Sequence, residues 1–286
     1  MQILKIATRD VLTVAPADSI DRAISLMEEH GIHHLVVTDG SKVVGMLSDR
    51  DILVSTGWML EIERRDPTGH GRPIMGPCRI EQIMSRPVET LTAHANAKEA
   101  ATRLVERKFG ALPIMTGNSL VGLVTETDLT GNLRRQAESN ESVRALLSAP
   151  VREWMRTHVI SVGPRCPIAD IVGLFRRYRF RHLPVTLEDD ILGIVSDRDV
   201  RRTFGWSQIH DMQAQEAART FEGPLLAMEI MQQPVRSIGV SDTLAAALDQ
   251  MFEHHIHSLP VHEGGRLRGI ITQTDFVKAI ARLELL

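Results

Sequence analysis

The sequence predicts an α/β protein built from four related units set as two consecutive tandem pairs, each pair with an internal pseudo-twofold. Three observations carry this. Gly45-Met46-Leu47-Ser48-Asp49-Arg50-Asp51 recurs in form as Gly193-Ile194-Val195-Ser196-Asp197-Arg198-Asp199. Gly122-Leu123-Val124-Thr125-Glu126-Thr127-Asp128 recurs as Gly269-Ile270-Ile271-Thr272-Gln273-Thr274-Asp275, at the same spacing to within one residue. Ahead of each motif the hydrophobic period switches in one order, from strand to helix to two strands. Four units in 286 residues leave roughly 72 each, too few for a comfortable core alone but ample when neighbours pack together.

In unit one, residues 11–14 read as a strand, and Asp18 or Ser19 caps a helix whose apolar face carries Ile20, Ala23, Ile24 and Met27. Residues 34–37 form the next strand, Asp39-Gly40 the turn, and 43–47 the last strand, after which Ser48 or Asp49 opens a second helix. Unit two repeats this with Val88, a helix over Ala97, Ala100, Ala101, Leu104 and Val105, and strands at 112–114 and 120–124. Unit three has a strand at 159–162, a helix with Ile168, Ile171 and Phe175, and strands at 183–185 and 191–195. Unit four has Val235, a helix with Leu244, Leu248 and Met251, and strands at 259–261 and 267–271. The units fall at 1–65, 79–140, 148–210 and 225–286, and the pairs at 1–140 and 141–286. Residues 61–78 read as a loop, whereas 208–219 favour helix. Trp58 and Trp206 stand at equivalent positions and read as packing anchors.

Composition narrows the function classes. The chain is 43% hydrophobic but only 4% aromatic, which predicts cores of Val, Ile, Leu, Met and Ala. A formal charge of -3 gives no global attraction to nucleic acid or membrane, although 33 basic residues leave room for a local anion pocket. No run of 18 apolar residues and no leader-like start is present, so a soluble cytoplasmic protein is expected. Cys78 and Cys166 make neither a disulfide scaffold nor a metal knuckle. His30, His33 and His34, and again His254, His255 and His257, cluster without additional convergent ligands, so no metal is expected. The chain carries no phosphate loop and no nucleophile–base constellation, which argues against an enzyme.

Three segments complete the pattern: Met84-Ser85-Arg86-Pro87-Val88, Met155-Arg156-Thr157-His158-Val159 and Met231-Gln232-Gln233-Pro234-Val235. Each precedes a helix, a Leu-Pro-Val-like strand and a Gly-x-x-Ser/Thr-x-x-Asp ending. With these the chain resembles the cystathionine beta-synthase (CBS) domain family over nearly its whole length, as two tandem CBS pairs, or Bateman modules, with no enzyme domain attached. The resemblance implies pairs packed sheet against sheet, with up to four clefts for adenosine-containing ligands. It places Asp51, Asp128, Asp199 and Asp275 at the ribose hydroxyls, beside the motif hydroxyls of Ser48, Thr125, Ser196 and Thr272. The same motif taken alone is an ordinary helix cap.

Phosphate contacts are expected from Arg50, Arg181, His182 and Arg198. Unit three is the richest in cations, with Arg176, Arg177 and Arg179 as well, whereas unit two offers only Arg107 and Lys108. His33, Gly110, Arg181 and His257 share one repeat position, and His34, Ala111, His182 and Ser258 the next. The expected function is an adenine-nucleotide-binding regulatory or energy-sensing module, AMP or ADP favoured with ATP retained, and no required cofactor. A ligand-independent interaction scaffold and a sensor of S-adenosylmethionine or NADH are the alternatives. Expected partners are the nucleotide, a regulated protein and a second copy of the chain in a homodimer.

Overall fold

The computed structural model describes residues 2–55, 79–204 and 225–283. Unit one comprises β1 (Thr13–Val14), α1 (Ile20–His30), β2 (His34–Asp39), β3 (Lys42–Ser48) and α2 (Asp49–Ser55). Ser19 is the cap that forms: its hydroxyl accepts from the Arg22 N–H at 3.2 Å. Ile20, Ala23, Ile24 and Met27 are buried, as a 3.6-residue period requires. Unit two follows with β4 (Leu91–Thr92), α3 (Ala97–Arg107), β5 (Ala111–Thr116), β6 (Ser119–Thr125) and α4 (Glu126–Gln136). A linker helix the sequence reading omitted, α5 (Glu141–Leu147), is capped by Asn140 and buries Val143 and Leu147.

Unit three holds α6 (Ile168–Tyr178), β7 (His182–Leu187), β8 (Asp190–Ser196) and α7 (Asp197–Phe204). Its expected strand at 159–162 contributes only a parallel bridge from Val162 to Val185. Unit four holds α8 (Ala227–Ile230), β9 (Ile238–Gly239), α9 (Leu244–Glu253), β10 (Ser258–Glu263), β11 (Arg266–Thr272) and α10 (Gln273–Arg282). All four hairpins break register at one place, after Val37, Ile114, Val185 and Val261, so the repeat extends to the irregularities. The expectations for 61–78, 208–219, Trp58, Trp206 and Cys78 lie outside the described residues.

The segment leading into each unit packs on the other unit of its pair. Ile3 donates its N–H to Ala95 O at 2.8 Å, and Thr8 exchanges two backbone bonds with Leu123 of β6. Reciprocally, Ile80 bonds Asp18 O at 3.0 Å and Ser85 pairs with Met46 of β3. The second pair repeats this, with Arg156 on Ile270 and Gln232 on Ile194. Ile3, Ile80, Val151 and Ala227 are the equivalent anchors, and all are fully buried; burial of a large aliphatic side chain is worth about 1.5 to 3 kcal/mol. The methionines of the recurring segments therefore sit against the neighbour's strand glycine: Met84 on Gly45, Met231 on Gly193 and Met155 on Gly269.

Within pair one, Val36, Ala111 and Leu123 meet between two three-stranded sheets. Within pair two, β8 and β11 join at their edges, giving one five-stranded sheet in the order β7-β8-β11-β10-β9, with Leu267 N–H donating to Asp189 O at 2.8 Å. The pairs dock unevenly. α3 and α4 of unit two share one apolar core with α9 and α10 of unit four, including Leu104, Leu133, Leu248, Phe276 and Ile280. Units one and three keep separate cores.

Candidate functional site

Each repeat motif ends a strand and turns directly into a helix, so its Ser/Thr and Asp meet across the first helical turn. One oxygen of each aspartate is spent there. Asp51 Oδ2 accepts from the Ser48 hydroxyl at 2.6 Å and from its N–H at 2.7 Å. Asp128 does so with Thr125 at 2.8 and 2.8 Å, Asp199 with Ser196 at 2.5 and 2.7 Å, and Asp275 with Thr272 at 2.8 and 3.0 Å. Oδ2 thus holds the helix start in every unit, and Oδ1 takes no part in the cap.

The Oδ1 atoms differ between units. That of Asp199 accepts from Gln232 Nε2 at 2.9 Å. That of Asp275 accepts from Arg156 Nε at 3.2 Å and from Lys278 Nζ at 2.9 Å. Asp199 and Asp275 are 5% and 4% exposed, whereas Asp51 and Asp128 are more open. Burial pushes the Asp128 carboxyl above the usual range, partly offset by its bonds to Thr125. Gln232, Arg156 and Lys278 were not singled out from sequence. Their signal was present, because Gln232 and Arg156 occupy the repeat position of Ser85 and Thr8.

Asp199 lines an open cleft of about 680 Å3 together with the Glu229–Pro234 stretch of the exchanged segment, Arg202 and Arg236, and the end of α9 at His254 and His255. Arg181, His182 and Arg198 do not line it. The structure gathers them, with Arg50, where units one and three meet. Arg198 Nη2 lies 2.6 Å from His33 Nε2, and His33 Nδ1 lies 2.9 Å from Asp49 Oδ2. A guanidinium only donates, so His33 accepts at Nε2 and carries its proton at Nδ1, facing Asp49. Arg181 approaches Asp49 at 3.7 Å, and Arg50 donates to Arg179 O at 2.9 Å.

The repeat position shared by His33, Gly110, Arg181 and His257 is built identically in all four units. Each of these carbonyls accepts from the first residue of the following helix, Asp49, Glu126, Asp197 and Gln273, at 3.0 to 3.3 Å. Opposite His33, His257 stands edge-on at 6.3 Å between ring centroids and bonds Gln273 Oε1 through Nδ1 at 2.8 Å. Thr127 of unit two donates to that same oxygen at 3.2 Å. Residues of all four units therefore converge on one polar centre. Gly110 is small because the His34 ring occupies the space: a Cβ there would lie 2.5 Å from His34 Nε2.

Burial dominates the protonation of this centre. It lowers His34 to about 4, with the Arg181 charge adding to the effect, and lowers His182 to about 3, with His257, Arg181 and Arg198 adding. His182 is therefore neutral at pH 7 and offers a ring nitrogen without charge. Burial also raises the Glu126 carboxyl, against the pull of a bond from Thr274. Among the described residues, no group of three or more His, Cys, Asp and Glu side chains is placed to hold a metal, and no helix is long and apolar enough to cross a membrane.

Similarity to known proteins extends over the whole chain. An uncharacterized protein of Methanocaldococcus jannaschii, MJ1225, is 28% identical across 98% of this chain and 99% of its own length. Its crystal structure, described as that of a proposed archaeal homolog of g-AMPK, matches with a TM-score of 0.79 at 25% identity, covering 98% of this chain and 100% of the other. A conserved protein of Pyrococcus horikoshii shares the fold, with a TM-score of 0.66 at 19% identity over 98% of this chain and 100% of its own. The family model of the CBS domain matches residues 3–55, 80–135, 151–205 and 227–282. The chain belongs to the CBS domain family, which is regulatory and non-catalytic, and carries four such domains in two tandem pairs.

Proposed function

We propose that this chain is a regulatory module that binds an adenine nucleotide, AMP or ADP in preference to ATP, and passes the bound state to a partner protein as a change in the relation of its two pairs. The observation that carries this reading is the division of labour at the motif aspartates: the helix start consumes Oδ2, and Oδ1, which at Asp199 takes one bond from Gln232, keeps a second lone pair for ribose hydroxyls beside a cleft of about 680 Å3. The likeness to the M. jannaschii protein described as a proposed g-AMPK homolog supports it. The preference for fewer phosphates follows from charge balance. Arg50, Arg181 and Arg198 stand among Asp49, Asp197 and Glu126, so each added phosphate must displace an acidic neighbour.

Because Arg198, His33, Asp49 and Arg181 tie unit one to unit three, phosphates entering there would exchange bonds between pairs for bonds to ligand. That exchange is a differential interaction with two arrangements, which a regulatory ligand requires. A ligand-independent scaffold is the second reading, favoured by the fact that the capping bonds are complete without any ligand.

Calorimetric titration with AMP, ADP, ATP, S-adenosylmethionine and NADH separates the readings. Asp199→Asn should weaken the adenine ligand by about 1.5 to 3 kcal/mol. Asp49→Asn should affect phosphate-bearing ligands and spare adenosine. Absence of binding by every compound rejects the sensor and leaves the scaffold.

A further inference from the structure

This inference rests on the ribose role proposed above and concerns which clefts can exercise it. In every unit Oδ2 of the motif aspartate is committed to the helix start, so ribose recognition depends on Oδ1 alone. In unit four that atom already accepts from two cations, Arg156 Nε at 3.2 Å and Lys278 Nζ at 2.9 Å, on a carboxylate only 4% exposed. The backbone that carries each cation is anchored. Arg156 exchanges backbone bonds with Ile270 at 2.9 and 3.0 Å, and Lys278 lies one turn beyond Asp275 on α10.

Repeat register gives the contrast. The position of Arg156 is Ser85 in the segment that bridges β3 of unit one and Thr8 in the segment that bridges β6 of unit two, both neutral and shorter than arginine. The position of Lys278 is Val54 in unit one and Gly131 in unit two. Among the described residues, no cation bonds Oδ1 of Asp51 or Asp128. Unit three is intermediate, with a neutral Gln232 amide on Asp199 Oδ1. A ribose hydroxyl entering unit four must displace charge-assisted bonds that it cannot equal, since a hydroxyl carries no charge.

We infer that Arg156 and Lys278 are specificity-determining residues that occupy the ribose seat of unit four, so that nucleoside ligands fill this cleft last and most weakly. The lock comes from the leading segment of unit three, so pair two regulates its own cleft through the exchange of segments. Pair one lacks the device.

The test compares the full chain with Arg156→Ser/Lys278→Met by isothermal titration with AMP and with adenosine. The double variant should gain one binding site, or tighten its weakest site at least about tenfold, which corresponds to 1.4 kcal/mol. Ser85→Arg, which installs the cation opposite Asp51, should weaken or remove one site and leave the rest. Unchanged stoichiometry and affinities in both variants, with nucleotide still bound, overturn this proposal and leave the functional reading intact. Absence of binding by the wild type and by both variants removes the two together.

Discussion

Substitution of Gly269 by alanine tests the exchange of leading segments where side chain and backbone of the neighbour both press on the glycine. A Cβ at this position would lie 2.6 Å from Met155 Sδ and 2.8 Å from the main-chain oxygen of Arg156. At the equivalent Gly193, the three atoms nearest the Cβ would all be side-chain atoms of Met231, at 2.6 Å for Sδ, 2.8 Å for Cγ and 3.1 Å for Cβ. The difference is what can move. Met231 is only partly buried and flexible, and can rotate away. The Arg156 carbonyl accepts from Ile270 N–H at 3.0 Å and cannot retreat without breaking that bridge. Overpacking costs about 1 to 3 kcal/mol, and the two bridge bonds add about 0.5 to 1.5 kcal/mol each. Loss of glycine from the unfolded chain returns about 0.4 to 1 kcal/mol. Gly269→Ala should therefore destabilise by about 3 kcal/mol and Gly193→Ala by about 1 kcal/mol. Urea unfolding of both variants measures this, and Met→Ala partners complete the cycle. Met231→Ala should rescue Gly193→Ala, whereas Met155→Ala should leave most of the Gly269→Ala loss. Equal stabilities of the two single variants, or full rescue at Gly269, would refute the reasoning.

Acid should destabilise the protein between pH 6.5 and 4, because His34 and His182 bind protons readily when unfolded but only near 4 and 3 when folded. Each ring contributes at most about 1.4 kcal/mol per pH unit. Glu126 and Asp128, raised by burial, work in the opposite direction at the acid end, so the slope must be compared with His34→Gln/His182→Gln; identical slopes would contradict the burial of the rings. Lys108→Gly should raise stability by about 0.5 to 1 kcal/mol in thermal unfolding, because Lys108 closes α3 at φ 58, where a side chain is disfavoured. Deletion of residues 2–8 should remove hydrogen-exchange protection from β5 and β6 of unit two, while β2 and β3 of unit one stay protected. The reverse pattern would place the segment on its own unit.

The hairpins, first helices and motif aspartates were legible because each depends on local chemistry: a cap such as Ser19, a face such as Ile20, Ala23, Ile24 and Met27, a turn such as Asp39-Gly40. The exchange of segments was not, since Met84 and Met231 precede their own repeats in sequence and contact glycines in the preceding ones. The cations were legible in type and not in place. Arg50 and Arg198 follow the same motif position, yet one reaches the Arg179 carbonyl and the other His33. Periodicity fixes which face of an element a residue occupies, whereas the partner across a four-unit centre depends on how whole domains dock. Arg156 was missed for the same reason, because it reaches Asp275 from 119 residues away, whereas Lys278 stands one turn beyond Asp275 on α10, a local spacing visible in the sequence.

The reciprocal segments also set an order for synthesis on the ribosome. Unit one emerges first, but its core includes Ile80 and Met84, which are translated after its last helix and the connection that follows. The nascent unit thus holds an open groove beside β3 until the next repeat begins to appear, while Ile3 waits longer still for Leu91, Leu112 and Val124. Apolar surface left bare during translation is where chaperones act. A gene cut between repeats would leave each half in that condition permanently, so inheritance by whole pairs is the economical course for a chain folded in this way.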